Sequence, residues 1–342
     1  MPLNKVKWLT VIGILFVLLF SAMYMHLTSG AFSMTTSEVF KTLFRIESND
    51  NFDLVVFDFR LPRIVTAALV GMGLAMAGVV LQGITKNALA DPGIVGINAG
   101  AVCAIVIFMF FFQVELIDVE INSVFKILIV PIFGFIGGSL AAVIILMVSF
   151  KQGRMDMQKL ILTGIAINTG FSAITLFWSL KMDEGDYQAA AIWMNGSIYN
   201  SNWYFVSAML PWLIILGIYV YKKAYLLDYF QLEEETIVSL GISLEKEKIK
   251  LLLASVGLVS ACVSVSGSIG FVGLMAPHIA RQLVGIHHRY VMPVCILVGA
   301  ILLVFSDYIA KTVFSPVELS VGIVVSLVGI PYFLYLLVKA KG

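Results

Sequence analysis

Stretches without a single Asp, Glu, Lys or Arg occupy 8–37, 64–85, 93–114, 127–150, 160–180, 187–221, 251–280, 290–306 and 319–338 of the sequence. The core of a bilayer offers no hydrogen-bond partners, so each such run is expected to cross as a helix of about 20 residues. Two runs are too long for one helix. The run 187–221 opens on a polar stretch containing Asn195, Gly196, Ser197, Asn200, Ser201 and Asn202, leaving 203–221 as its span. The run 251–280 is broken by Ser266-Gly-Ser-Ile-Gly-Phe-Val-Gly273. Its glycines predict a turn followed by a short second helix. The count becomes ten.

Composition agrees with that count. The chain is 60% hydrophobic and 13% charged, against about 45–50% and about 25% for a soluble domain. This excludes a soluble globular domain and a disordered chain. The expected fold is an all-α polytopic membrane protein, one transmembrane domain over 1–342. Its helices are placed at about 8–29, 61–85, 93–113, 126–150, 158–180, 203–221, 249–266, 273–285, 290–313 and 319–338, with a long loop at 222–250. A net charge of +1 gives no electrostatic reason to expect nucleic acid.

Loop charge orients the helices. With the N-terminus in the cytoplasm, the inside segments hold 15 of the 22 Lys/Arg and 8 of the 21 Asp/Glu. That excess of positive charge inside is what membrane insertion favours. Both termini inside requires an even number of spans. The first run follows Lys5 and Lys7 as a signal peptide would, but it is too long, lacks a small-x-small cleavage site and precedes nine further spans.

Catalytic and metal chemistry find no pattern. Cys103, Cys262 and Cys295 stand far apart in apolar runs and read as small buried hydrophobes. The four histidines form no zinc pair, no Gly-x-Ser-x-Gly elbow occurs, and no Walker motif precedes a helix. Gly267–Gly273 follows no strand, so it does not cradle a phosphate. No catalytic residue, metal site or cofactor is expected. Small residues four apart (Gly71/Ala75, Gly73/Ala77, Gly134/Gly138) let helices approach closely. Ionisable groups within spans are scarce: His278 with Arg281, and Asp307 with Lys311, whose i,i+4 spacing permits a local ion pair. The segment 222–250 carries eleven charges around an apolar core at Ile237, Leu240 and Gly241. It reads as a short cytoplasmic helix pair that docks a partner protein, in preference to a solvated linker.

The chain resembles the permease subunits of ATP-binding-cassette importers for iron–siderophore complexes, haem and vitamin B12 (the FecCD-type, or type II, permeases). The resemblance rests on Arg60-Leu-Pro-Arg63; Gly73-Leu-Ala-Met-Ala-Gly78 with Leu81-Gln82; Lys86-Asn-Ala-Leu-Ala-Asp-Pro92; and Trp193-Met-Asn-Gly-Ser197. It continues through the long block Gly267–Arg281, His287-His-Arg289, Asp307-Tyr-Ile-Ala-Lys311 and Glu318 with Val321-Gly322. Two departures stand out: Ala88 replaces a usual proline, and Lys311 a common arginine.

The resemblance implies ten helices per subunit, a second permease subunit (a copy or a paralogue), two cytoplasmic ATPases and an extracytoplasmic binding protein. It places the coupling loop between helices six and seven, where Glu233, Glu234, Ile237, Leu240 and Gly241 fall. It assigns Arg60, Arg63 and Lys311 to docking of the binding protein, and Asn87 and Leu89 to the cytoplasmic gate. The expected function is import of an iron–siderophore or related metal chelate across the cytoplasmic membrane of a bacterium. Haem and cobalamin are the alternatives within the family, and a cation-coupled secondary carrier the alternative outside it. An intramembrane enzyme has no paired catalytic residues to support it.

Overall fold

The computed structural model describes residues 5–339 apart from 31, 33, 47, 48, 94, 95, 118–122, 152, 153, 233–235, 237–242 and 316. It is almost entirely helical, so that each backbone donor finds its acceptor within its own segment. In chain order the helices are α1 (Lys5–Thr28), α2 (Thr36–Leu43), α3 (Asp50–Thr85), α4 (Ile97–Ile117), α5 (Ser123–Ser149) and α6 (Met157–Ser179). They continue with α7 (Glu184–Asn195), α8 (Trp203–Tyr229), α9 (Leu244–Ser266), α10 (Val272–Val284), α11 (His288–Thr312) and α12 (Val321–Lys339). Phe150–Lys151 and Arg154–Met155 pair as a two-residue antiparallel ribbon before α6.

Seven of these helices are long and apolar enough to span, and α4 and α12 carry shorter apolar stretches. At 13 residues, α10 is only about 20 Å long, less than the roughly 30 Å of hydrocarbon it sits in. It is sheltered by α3, α11 and α12. The short helices α2 and α7 are additions that charge-free runs could not reveal. Helix α2 is set by a capping box in which Thr35 and Glu38 satisfy each other's backbone N–H groups.

Helix α3 organises the bundle and packs against α8, α9, α10 and α11. Its apolar window is 83% buried, against 17% for α1 and for α6. Small residues allow this. A Cβ on Gly71 would strike the carbonyl oxygen of Gly299 in α11, and one on Gly78 the carbonyl of Gly273 in α10. Backbone therefore lies on backbone at both crossings, the contact that drives helix association where lipid removes the hydrophobic force.

The start of α3 differs from expectation. The helix is expected over about 61–85, yet it begins at Asp50 and carries a π-helical stretch at Leu54–Arg60. Pro62 has no N–H to give the preceding turn. The wider turn keeps the chain helical there, with Leu61 N–H donating to Val56 five residues back. Arg60 and Arg63 consequently sit inside a continuous helix.

Candidate functional site

At the outer end of the bundle, by the loop-charge orientation, a cluster of ionisable side chains joins α1, α3 and α11. Asp307 accepts from Arg63 Nε at 2.7 Å and Nη2 at 2.9 Å, and from His26 Nε2 at 2.6 Å. Arg63 Nη1 reaches Glu318 at 2.7 Å. Its guanidinium also faces the Tyr199 ring, 5.6 Å from the centroid. Arg60 donates to the carbonyls of Leu27 and Phe32, and Lys311 Nζ to the carbonyl of His26 at 3.5 Å. His26 is fully buried, and Arg60, Arg63, Asp307 and Lys311 are buried too.

Three of these residues carry the docking expectation. They are not bare surface charges: Arg60, Arg63 and Lys311 are at most 9% exposed, while Glu318 keeps 29% of its side chain in the open. The Asp307–Lys311 pair permitted by spacing is not formed, because Arg63 offers a bidentate fork that an ammonium cannot match. Sequence reasoning missed His26; its signal was a lone titratable group inside an apolar run.

At the opposite end, α3 leads into the loop that holds the expected gate. Lys86 closes the helix in the left-handed conformation, φ 52°. Asn87 Oδ1 accepts from Leu89 N at 2.9 Å, folding the loop on itself as an Asx turn. Asn87 is exposed and Leu89 half-buried. Gln82, one turn earlier and buried, is the hub. Its amide donates to the carbonyls of Ala90 (3.2 Å) and Gly273 (3.3 Å), and its Oε1 accepts from Arg281. A single side chain thus fixes the loop after α3 to both ends of α10.

The same loop reaches toward the long cytoplasmic segment. Lys86 Nζ donates to the carbonyl of Leu232 at 3.2 Å, and Gln231 Nε2 to that of Gly83 at 3.3 Å. Glu233, Glu234, Ile237, Leu240 and Gly241, expected to couple to the ATPase, lie outside the described residues. They begin directly after this junction. Asp228 Oδ1 binds His288 through both N (3.0 Å) and Nδ1 (2.7 Å), joining the end of α8 to the start of α11.

Between the two ends lies a cavity of about 370 Å³. Three separated sequence blocks build its wall. Trp193 accepts from Ser268 N at 3.1 Å, and Gly196 from Gly322 N at 2.9 Å. The linker Gly267–Phe271, between α9 and α10, is thereby held against α7 and α12. Polar side chains enter from Asn98 on α4 and from Asn168, Ser172 and Thr175 on α6. Asn98 gives its amide to Ile269 at 3.4 Å while its buried Oδ1 has no partner. Asp91 is the one ionisable residue among those lining the space. Such a site makes weak, neutral, reversible contacts. Neither a bond-breaking arrangement nor a group of three or more metal-ligating side chains occurs among the described residues.

Exposure separates two kinds of outer surface. Along α1 the open side chains are bulky and apolar, among them Leu9, Phe16, Val17 and Phe20. Along α6 the open side chains include Leu162, Ile165, Ile174, Leu176 and Phe177, interrupted by a small, partly polar stretch at Thr169, Gly170, Ser172 and Ala173. Lipid suits the bulky apolar surface. The small stretch suits protein or a wetted passage.

The FecCD transport family model matches residues 14–339. The chain is 49% identical over 318 residues to the Bacillus subtilis iron-uptake system permease protein FeuC, covering 93% of this chain and 94% of that one. It is 40% identical to the iron(3+)-hydroxamate import system permease protein FhuG of the same organism (98% of each chain). Identity to the hemin transport system permease protein HmuU of Yersinia pestis is 34% (99% and 98%). Among solved structures, one described as an inward-facing metal-chelate type ABC transporter superposes with a TM-score of 0.82 at 29% identity, over 96% of this chain and 99% of that one. Sequence match over nearly the whole length and the shared bundle agree: the chain belongs to the FecCD transport family of membrane permeases.

Proposed function

We propose that this chain is the membrane-spanning subunit of an importer that carries an iron chelate into a bacterial cell, powered by separate ATPases. The observation that carries the reading is the cavity bounded by α4, α6 and the Gly267–Phe271 linker, uncharged except for Asp91 at its cytoplasmic end. It lies beside the open small-residue turn of α6. A wrapped chelate presents a large, mixed surface. A passage of neutral amides, hydroxyls and apolar walls lets it slide, whereas a fixed-charge site would hold it. A second permease subunit facing α6 would complete the passage and cover that turn. Both termini then lie in the cytoplasm.

The remaining roles follow from the same orientation. Asn87 and Leu89 act at the cytoplasmic gate, and residues 233–242 receive the ATPase. The outer cluster docks the binding protein through its field rather than through bare side chains. Beside His26 it holds three cations (Arg60, Arg63, Lys311) against two anions (Asp307, Glu318). An acidic lobe arriving from outside would compete with Glu318 for Arg63.

Reconstitution tests the reading. The chain, its partner permease, the ATPases and the binding protein are placed in proteoliposomes and offered iron-labelled hydroxamate, catecholate, citrate and haem. ATP-dependent accumulation of one ferric chelate is expected, weakened several-fold by Asn168→Leu with Ser172→Leu. Accumulation driven by an ion gradient without ATPases would instead establish a secondary carrier.

A further inference from the structure

A second cavity, of about 320 Å³, opens where α1, α8 and α11 meet at the cytoplasmic end, far from the passage and the gate. Lys5, Trp8, Leu9, Tyr221, Arg289 and Tyr290 line it. Trp8 Nε1 donates to the Tyr290 carbonyl at 3.2 Å, and the two rings meet edge to face, 5.8 Å between centroids. That contact holds the start of α1 against the start of α11. Below it, Asp228 bonded to His288 holds the end of α8 against the same helix. The cavity is therefore framed by fixed helix ends.

Several basic positions at this end are neutralised by a local acid. Lys223, Lys248 and Lys250 are each paired with Glu245 or Glu247. Lys5 and Arg289 have no ion-pair partner among the described residues, are exposed, and both border the cavity. No carboxylate lines it. Tyr221 closes the charge-free run 187–221, directly before Lys222 and Lys223, which puts the cavity at headgroup depth. Tryptophan and tyrosine favour that level, and anionic lipids give the cytoplasmic leaflet its negative surface.

We propose that this cavity binds the phosphate headgroup of an anionic phospholipid, Lys5 and Arg289 holding the phosphate and Trp8, Tyr221 and Tyr290 flanking the glycerol region. Interfacial anchoring alone would need neither a concave pocket nor two unpaired cations bordering one space. A zwitterionic headgroup would bring its own cation against them and gain less.

The test uses the full-length chain in its complex, purified in mild detergent and examined by native mass spectrometry after addition of phosphatidylglycerol or phosphatidylcholine. The wild type is expected to retain phosphatidylglycerol at least fivefold more than phosphatidylcholine. Lys5→Gln with Arg289→Gln should remove that preference, while Lys222→Gln with Lys246→Gln, an equal loss of charge outside the cavity, should keep it. Inorganic phosphate at the same concentration should leave the thermal midpoint unmoved where phosphatidylglycerol raises it. Undiminished preference in Lys5→Gln with Arg289→Gln, or equal loss in Lys222→Gln with Lys246→Gln, would refute the site. A midpoint raised equally by inorganic phosphate would refute a lipid as its occupant.

Discussion

Arg281 of α10 donates to the side-chain oxygen of Gln82 in α3, 199 residues away, and that same glutamine holds the carbonyl of Ala90 in the gate loop. The gate loop is thus tied to a short helix capped by the glycine-rich linker of the cavity. Movement at either place is felt by one buried amide.

Gln82→Glu separates the two functions of this side chain. The carboxylate still accepts from Arg281, but the donors to Ala90 and Gly273 are gone. A buried carbonyl left unsatisfied costs about 1–3 kcal/mol. The loop should open more often, and a cysteine at Leu89 should react with a membrane-impermeant thiol reagent roughly tenfold faster, about 1.4 kcal/mol, from the cytoplasmic side. An unchanged labelling rate would show that Gln82 does not restrain the gate.

The contact of Lys86 with Leu232 lies between the gate and the segment proposed to meet the ATPase. As an exposed hydrogen bond it is worth about 0.5–1.5 kcal/mol. Lys86→Met should therefore lower transport two- to tenfold while ATP hydrolysis continues. Gly241→Trp should uncouple more completely, with the protein still inserted. Normal import with an unchanged ATPase rate in Gly241→Trp would remove this segment from the coupling role.

Glu318 is the partly open member of the outer cluster. If an acidic lobe of the binding protein competes for Arg63, Glu318→Gln should tighten docking several-fold in nanodiscs at low salt. The gain should shrink at high salt, since screening acts within about 8–10 Å near physiological ionic strength. Charge reversal at Arg63 is a different experiment: it would leave Asp307 buried beside a like charge, and breaking such a buried pair costs about 3–5 kcal/mol. Equal affinity for wild type and Glu318→Gln at low salt would sink the competition.

Gly78→Ala should reduce the amount of folded protein sharply, because its Cβ would meet the Gly273 carbonyl and push α3 and α10 apart. Overpacking of this kind costs about 1–3 kcal/mol. Gly13→Ala in α1, where nothing lies within 4 Å, should be neutral or stabilising by up to about 1 kcal/mol. Detergent thermal stability of the two variants checks the contrast. Equal stability would mean the α3–α10 crossing can relax without loss.

Much of this protein was legible in its sequence because a bilayer leaves a chain few choices. Runs without charge had to be helices, the glycines after Ser266 had to interrupt one, and unequal loop charge supplied the orientation proposed for the whole. Motif blocks named the family. Local pattern could not show that the helix holding Arg63 continues back through Arg60 to Asp50, because Pro62 reads as a first-turn residue until a π turn carries the backbone past it. Nor could it pair Arg63 with Asp307 in preference to Lys311, since spacing along one helix favours the local partner. The fork geometry that decides between them exists only when α3 and α11 are packed. The hub at Gln82, the wall joining Trp193, Ser268 and Gly322, and the cavity between Lys5 and Arg289 arise in the same way. Sequence determined which segments cross the membrane; packing determined which polar groups meet across helices, because a side chain such as Arg63, Gln82 or Trp8 reaches its distant acceptor only once the helices are assembled.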